Sequence, residues 1–398
     1  ECHENDGVHR TSGRIYRITW EGTPSIPATK ADGTEAVVRA ASVADLSSLE
    51  LAETLIQNSE WTARRAVRLL AERAVAGEEL SVVGRVLMSR MGHQRVSTES
   101  RLRSLWALNA IGAADETLLV RLLSDHSEHV RVWAIQLLME RGPVSATVLN
   151  RFVEMAAVDR SGLVLTWLAS ALQKLPVDQR WPIAMKLSQW SQHADDRVFP
   201  LMLWYGIEGA VPADAGRSVE LVATSSIPVL REFVARRLTL EIERQPEAIN
   251  ALVGLLAQRP EDAVLQHDIL TGMTTALRGW RKAPEPASWM TVGKALAKSG
   301  NSETQRLVRE LSLVFGDGRA VDELRAIAES GSDLDERRSA IRALVVARAE
   351  NMVPMLQKLL GDRDLAEAAI NGLAAFDHPE TANLLVQRYS SLRNEPRR

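Results

Sequence analysis

The chain has 398 residues, 45% hydrophobic and 25% charged, with a net charge of −3 and a pI near 6.3. That balance lacks the basic excess with which a nucleic-acid reader neutralises phosphates. The single cysteine, Cys2, excludes an internal disulfide framework and a cysteine-rich metal site. No apolar run approaches the roughly 20 residues that a membrane-crossing helix needs. With only five Phe and three Tyr, the strand-favouring aromatics are scarce, and Leu, Ala, Arg and Glu dominate as they do in helical proteins.

In chain order, Gly13-Arg14-Ile15-Tyr16-Arg17-Ile18-Thr19-Trp20 alternates with period two, placing Tyr16, Ile18 and Trp20 on one face. This predicts a strand. No second strand follows in the sequence to match its backbone groups, so its sheet is expected upstream of the chain. Residues 21–45, with Thr23-Pro24-Ser25-Ile26-Pro27-Ala28 and Asp32-Gly33-Thr34, read as a linker. From 46 onward the pattern is helical and recurs every 30–40 residues or so.

The spacing predicts first helices of successive pairs near 59, 98, 127, 161, 194, 227, 262, 302, 333 and 363. Second helices carry one-sided apolar stripes, such as Met352, Met355, Leu356, Leu359 and Leu360, or Ile249, Leu252, Val253 and Leu256. Gly112, Gly142, Gly300 and Gly331 are expected at left-handed C-caps. Pro182, Pro246 and Pro379 are expected at or near first turns of second helices, and Pro200 is expected to kink a first helix. Asn394-Glu395-Pro396-Arg397-Arg398 resembles the opening of a further first helix. Together with the initial Glu1, it suggests a chain cut at both ends.

The expected fold is all-α: an α-solenoid of about ten helix pairs over 46–398, preceded by one orphan β-strand. First helices would lie on its convex side, and second helices would line the concave face. One repeat reads Asp125-His126-Ser127-Glu128-His129-Val130-Arg131-Val132-Trp133-Ala134. Another reads Asp333-Leu334-Asp335-Glu336-Arg337-Arg338-Ser339-Ala340. This order of acidic start, arginine, then small and branched residues resembles the HEAT (armadillo-like) family. It is clearest at 58–73, 125–142 and 333–348 and degenerate at 194–209 and 262–279.

A narrower stretch, from Glu1-Cys2-His3-Glu4-Asn5-Asp6-Gly7-Val8-His9 to Arg17-Ile18, is similar to the end of the β-propeller in planctomycete-type membrane-bound dehydrogenases. In that family a propeller related to glucose/sorbosone dehydrogenases is followed by HEAT repeats and then a c-type cytochrome domain with a Cys-x-x-Cys-His haem motif. The resemblance implies that 1–20 ends a propeller, 21–45 links, and 46–398 is a non-catalytic scaffold within a periplasmic or extracytoplasmic redox protein. A c-type haem would sit elsewhere in the parent, with no cofactor in this segment. The partners would be neighbouring domains of the same chain, with no nucleic acid and no membrane span. The alternative is a free-standing adaptor that grips a protein partner on its concave face. A HEAT-type nucleic-acid enzyme would require a basic concave stripe.

Candidate chemistry is sparse. Cys2, His3, Asp6 and His9 form the densest ligand-type cluster, but their spacing fits no standard zinc pattern, and a loop closing a propeller blade accounts for them. His126 and His129, three apart at a helix start, lack further ligands nearby in sequence and read as surface histidines. Trp106, Trp133, Trp167 and Trp204 occupy comparable places in four successive first helices. They could form a ligand ladder, and packing between repeats accounts for them better. Some of Trp181, Trp190, Trp280 and Trp289 should be partly exposed. Arg65, Arg131 and Arg338 follow acidic starts, and the HEAT resemblance implies pairing with an acidic residue of an adjacent repeat. His-Glu-x-x-His, Gly-x-Ser-x-Gly and phosphate-loop motifs are absent from the sequence. No catalytic, cofactor-binding or metal residue is assigned.

Overall fold

The structure, a computed structural model, describes residues 43–389 except 58, 94 and 317, together with the backbone at 28–29 and 35–36. The strand expected at 13–20, the Cys2–His9 cluster and the last nine residues, 390–398, lie outside the described residues. Within the stretch read as a linker, Ala28–Thr29 pairs antiparallel with Glu35–Ala36 in a two-residue ladder. All else described is helix or turn, with 21 α-helices among the described residues. The chain divides into two compact units, Glu1–Ala113 and Ala114–Arg398.

The first unit contains α1 (Ser48–Thr54), α2 (Glu60–Val75), α3 (Ser81–Gly92) and α4 (Thr98–Ala110). Small hydroxyl residues start three of these helices. Ser47 and Glu50 form a reciprocal capping box, and Ser59 and Ser97 each accept from the backbone three residues on. Helix α1 packs on α2 and α3, and α4 packs on both α2 and α3. Leu51, Leu55, Leu70, Leu87, Leu105 and Leu108 are buried in the core.

The second unit opens with α5 (Glu116–Leu122), α6 (Glu128–Glu140), α7 (Ala146–Val158), α8 (Gly162–Ala171) and α9 (Val177–Leu187). It continues through α10 (Phe199–Ile207), α11 (Ala215–Thr224), α12 (Pro228–Thr239), α13 (Pro246–Gln258) and α14 (Ala263–Ala276). Then come α15 (Trp289–Leu296), α16 (Ser302–Phe315), α17 (Gly318–Ser330) and α18 (Leu334–Val346). The last are α19 (Met352–Leu359), α20 (Ala366–Leu373) and α21 (Thr381–Arg388). Two rows of helices result. One row runs α6 on α8, α8 on α10, α10 on α12, α12 on α14 and α14 on α16. The other runs α7 on α9, α9 on α11, α11 on α13 and α13 on α15. From α6 to α16 each helix thus buries one face against a helix adjacent in sequence and another against a neighbouring helix of its row, as in a helical solenoid.

The expected first helices correspond to the even-numbered ones, α2 to α20. Two begin late. Near 194 a short 3-10 turn, Ser191–His193, intervenes, and Asp196 then accepts from the amides of Val198 and Phe199 to start α10. Near 363 the helix begins at Ala366. Pro200 therefore sits in the first turn of α10, where a proline needs no kink, and the expected bend is corrected. Pro182 is the reverse case, since it lies inside α9 rather than at its start. Pro246 is the first residue of α13 as expected. Gly112 and Gly142 are left-handed, at φ +75° and +101°. Gly300 and Gly331 are not. At Gly331 the constraint is space, because a Cβ there would lie 2.7 Å from the Ile327 carbonyl oxygen.

Two further glycines set how closely neighbours approach. A Cβ on Gly206 of α10 would fall 2.7 Å from Leu172 Cβ and 2.9 Å from the Ala169 oxygen. On Gly272 of α14 it would fall 2.4 Å from the Glu232 carbonyl oxygen and 2.9 Å from Ala235 Cβ, both on α12. Only glycine lets backbones meet at that distance.

A polar device recurs at the fourth residue after the N-cap of a first helix. There a long side chain folds back onto carbonyls at the end of the preceding second helix or in the turn that follows it. Arg101 donates to Met91 O, Arg131 to Asp125 O, Arg231 to Ser225 O, and Arg337 to Ala328 O and Glu329 O. Gln266 and Gln305 do the same to Pro260 O and Ser299 O. Three of the arginines also reach forward. Arg131 grips Asp159 with two bonds of 2.8 Å, Arg231 pairs with Asp268 at 2.6 Å, and Arg337 lies 3.3 Å from Asp362. The expected cross-repeat pairing thus holds for Arg131. At the other two positions the register differs. Arg337 plays that part, while Arg338 pairs with Asp335 of its own helix. Arg65 has no described carboxylate within ion-pair distance, and Ala63 occupies the equivalent place.

Candidate functional site

Along α14, Val264, His267, Thr271 and Thr274 recur three or four residues apart and so share one face, and Arg278 follows in the turn after the helix. The lower part of that face lines a cavity of about 360 Å³ between α14, α16 and α18. Within the second unit, α16 and α18 are the exception to close backbone packing along the even-numbered row. Long polar side chains occupy the space between them. Arg306, Arg309 and Glu310 of α16 face Glu336, Ser339 and Ala343 of α18 across a narrow cleft.

The cavity floor is apolar, made by Leu277, Leu311, Leu313, Val314 and Ala343. Its rim is cationic and aromatic. Arg278, Arg306 and Arg342 line it, and Trp280 stands half-buried beside them after the left-handed turn at Gly279. Arg306 is clamped by its own helix, bonding Glu303 (Nε to Oε2, 2.9 Å) and Glu310. The bond from Arg306 holds the Glu303 carboxyl below its usual range, and the bond to Glu303 raises the guanidinium in turn. Arg278 and Arg342 are exposed and form no ion pair with a described residue. The Thr274 hydroxyl lies buried in the lining with no hydrogen-bond partner among the described residues. Such an orphan is uncommon and invites a ligand atom or water.

The residues singled out from sequence fall elsewhere. His126 and His129 are exposed, and His126 Nδ1 lies 3.4 Å from Asp125. Among the described residues no group of three His, Cys, Asp or Glu is placed to hold a metal. Trp106, Trp133 and Trp167 are half-buried and Trp204 is buried. Trp204 meets Phe233 of α12 at 5.5 Å with the rings tilted by 60°, so it packs between repeats. Trp190 and Trp280 are half-buried as expected. Trp181 and Trp289 are buried, with Trp289 donating to Ser312 Oγ at 3.0 Å. No helix among the described residues is long and apolar enough to cross a membrane.

No protein-family model matches the chain, and no curated protein matches it. Sequence reasoning missed Thr274, Arg278, Arg306 and Arg342. A signal did exist in Arg278-Gly279-Trp280-Arg281-Lys282, where a basic–aromatic run follows a glycine at a helix end. The arrangement offers charge, an apolar floor and one buried hydroxyl. It can hold a molecule, and it presents no nucleophile paired with a base.

Proposed function

We propose that this chain is a non-catalytic helical-repeat scaffold. In this reading it is the HEAT-like span between a sugar- or alcohol-dehydrogenase-like propeller and a c-type cytochrome domain of a larger, extracytoplasmic redox protein. The observation that supports a scaffold is the repeated side chain four residues after the N-cap. Its arginines and glutamines are committed to capping one repeat and, in three cases, gripping the next. The redox context rests on the resemblance of residues 1–18 alone.

The test is the coding sequence on both sides of this segment, followed by the pyridine haemochrome spectrum of the parent protein. Propeller strands upstream, a Cys-x-x-Cys-His motif downstream and a c-type haem band are expected. A parent with neither flank and no haem would leave only the second reading, a free-standing adaptor for a protein partner. The cavity between α14, α16 and α18 favours that reading, and stoichiometric binding of one defined partner by the isolated chain would establish it.

A further inference from the structure

We propose that the cavity between α14, α16 and α18 is a binding site for an amphiphilic carboxylate, a molecule with an apolar body that ends in a carboxylate group. The inference is independent of the redox reading, since it stands or falls whatever flanks the chain. Its first support is size. A volume of about 360 Å³ lies within the range of small-ligand pockets, roughly 300–1,000 Å³. The second is polarity. Leu277, Leu311, Val314 and Ala343 give a floor that an alkyl or aryl body would cover.

The third support is charge. Three guanidiniums line the cavity, and only Arg306 is neutralised, by Glu303 and Glu310. Arg278, in the turn after α14, and Arg342, on α18, remain without a described carboxylate partner. A guanidinium fork matches the two oxygens of a carboxylate, and two forks from facing elements would hold it from both sides. A cation would instead meet a net repulsive rim. The fourth support is the buried Thr274 hydroxyl, which can donate to a ligand oxygen and has no partner in the protein. Trp280 then closes one side with an aromatic face, as in many small-ligand sites.

The same chemistry has two sources: a free amphiphilic acid, or the C-terminal carboxylate of a peptide that ends in an apolar residue. Anilinonaphthalene sulfonate, an apolar body with one anionic group, serves as the fluorescent probe on the full chain. One saturable site is expected, with energy transfer from tryptophan that falls in Trp280→Phe. The double variant Arg278→Gln/Arg342→Gln should weaken the probe about tenfold or more, as loss of charge-assisted bonds does. Ala343→Trp should block the site by filling it. Both arginines are exposed, so the thermal melt of the double variant should match that of the parent chain, which separates lost binding from lost folding.

Displacement by decanoate but not decanol identifies a free acid. Displacement by the tripeptide Ala-Ala-Phe but not by its C-terminal amide identifies a chain terminus. Either outcome supports the proposal. It is overturned if the probe binds the double variant and Ala343→Trp as well as it binds the parent chain. It is equally overturned if decanol competes as well as decanoate, or if neither carboxylate displaces the probe.

Discussion

Helices α12 and α14 meet through a glycine, whereas α16 and α18, two repeats later in the same row, are held apart by arginines and glutamate. At the first contact Gly272 brings the backbone of α14 against Glu232 and Ala235. At the second, Arg306, Arg309 and Glu310 keep α18 at a distance, and a cavity opens beside them. Both pairs belong to one repeat plan, and both bury leucines from second helices beneath them. The difference therefore lies in a few contact side chains and not in the architecture. A solenoid makes a site by leaving one of its joints unfilled.

The largest effect expected from breaking the tight joint comes from Arg231→Ala. The Arg231–Asp268 pair is about nine-tenths buried on both sides, and removing one partner leaves a carboxylate uncompensated, which typically costs about 3–5 kcal/mol. Thermal or urea unfolding reads it directly, and a loss under about 1 kcal/mol would refute the assignment of this pair as a structural clasp. Next comes Gly272→Ala. Its Cβ meets backbone oxygen and cannot be accommodated by a rotamer change, so overpacking should cost about 1–3 kcal/mol. The mirror experiment on the open joint is Ala343→Leu, whose added atoms enter the cavity. Stability should change by no more than about 0.5 kcal/mol, because there is room to receive them.

The smallest effect is one of pH, and its sign separates the two joints. Burial raises the Asp268 carboxyl above its usual value, against the opposing attraction of Arg231. Its contribution is therefore fully present below the unfolded-state value and lost as pH rises through the folded one. Glu303, lowered by its bond from Arg306, contributes above its unfolded-state value and loses that contribution as pH falls through the folded one. Acidification through the carboxylate range should lower amide protection factors in α16 while those in α14 hold or rise. A fall of equal size in both would erase the distinction.

Much of this fold was legible because helix starts are written locally. Ser59, Ser127, Asp262 and Asp333 announce their helices by residue type and position. The degenerate repeat near 194 was misplaced because its start is carried by a 3-10 turn and by Asp196, two residues before the first capped amide. Register errors had the same origin. Arg337 and Arg338 are adjacent, and only the rotation of α18 decides which one turns inward. The cavity was not legible at all. It depends on the distance between α16 and α18, which no single helix encodes, and on Thr274, whose buried and unpartnered state exists only once its neighbours are placed.

The fold-back side chains bear on how the array comes apart. Where the position is arginine, as at 131, 231 and 337, one residue ties its own repeat to the next. Where it is glutamine, as at 266 and 305, the tie to the preceding carbonyls remains and no charged grip reaches forward. In a linear array, cooperativity between neighbours is set by such interface contacts. Glutamine there removes one tie after α14 and α16, and since α16 and α18 also lack the close backbone packing of the other even-numbered neighbours in the second unit, partial unfolding should divide the array there. The seam runs alongside the cavity, so a ligand bound across α14, α16 and α18 would fasten together the two segments that separate first.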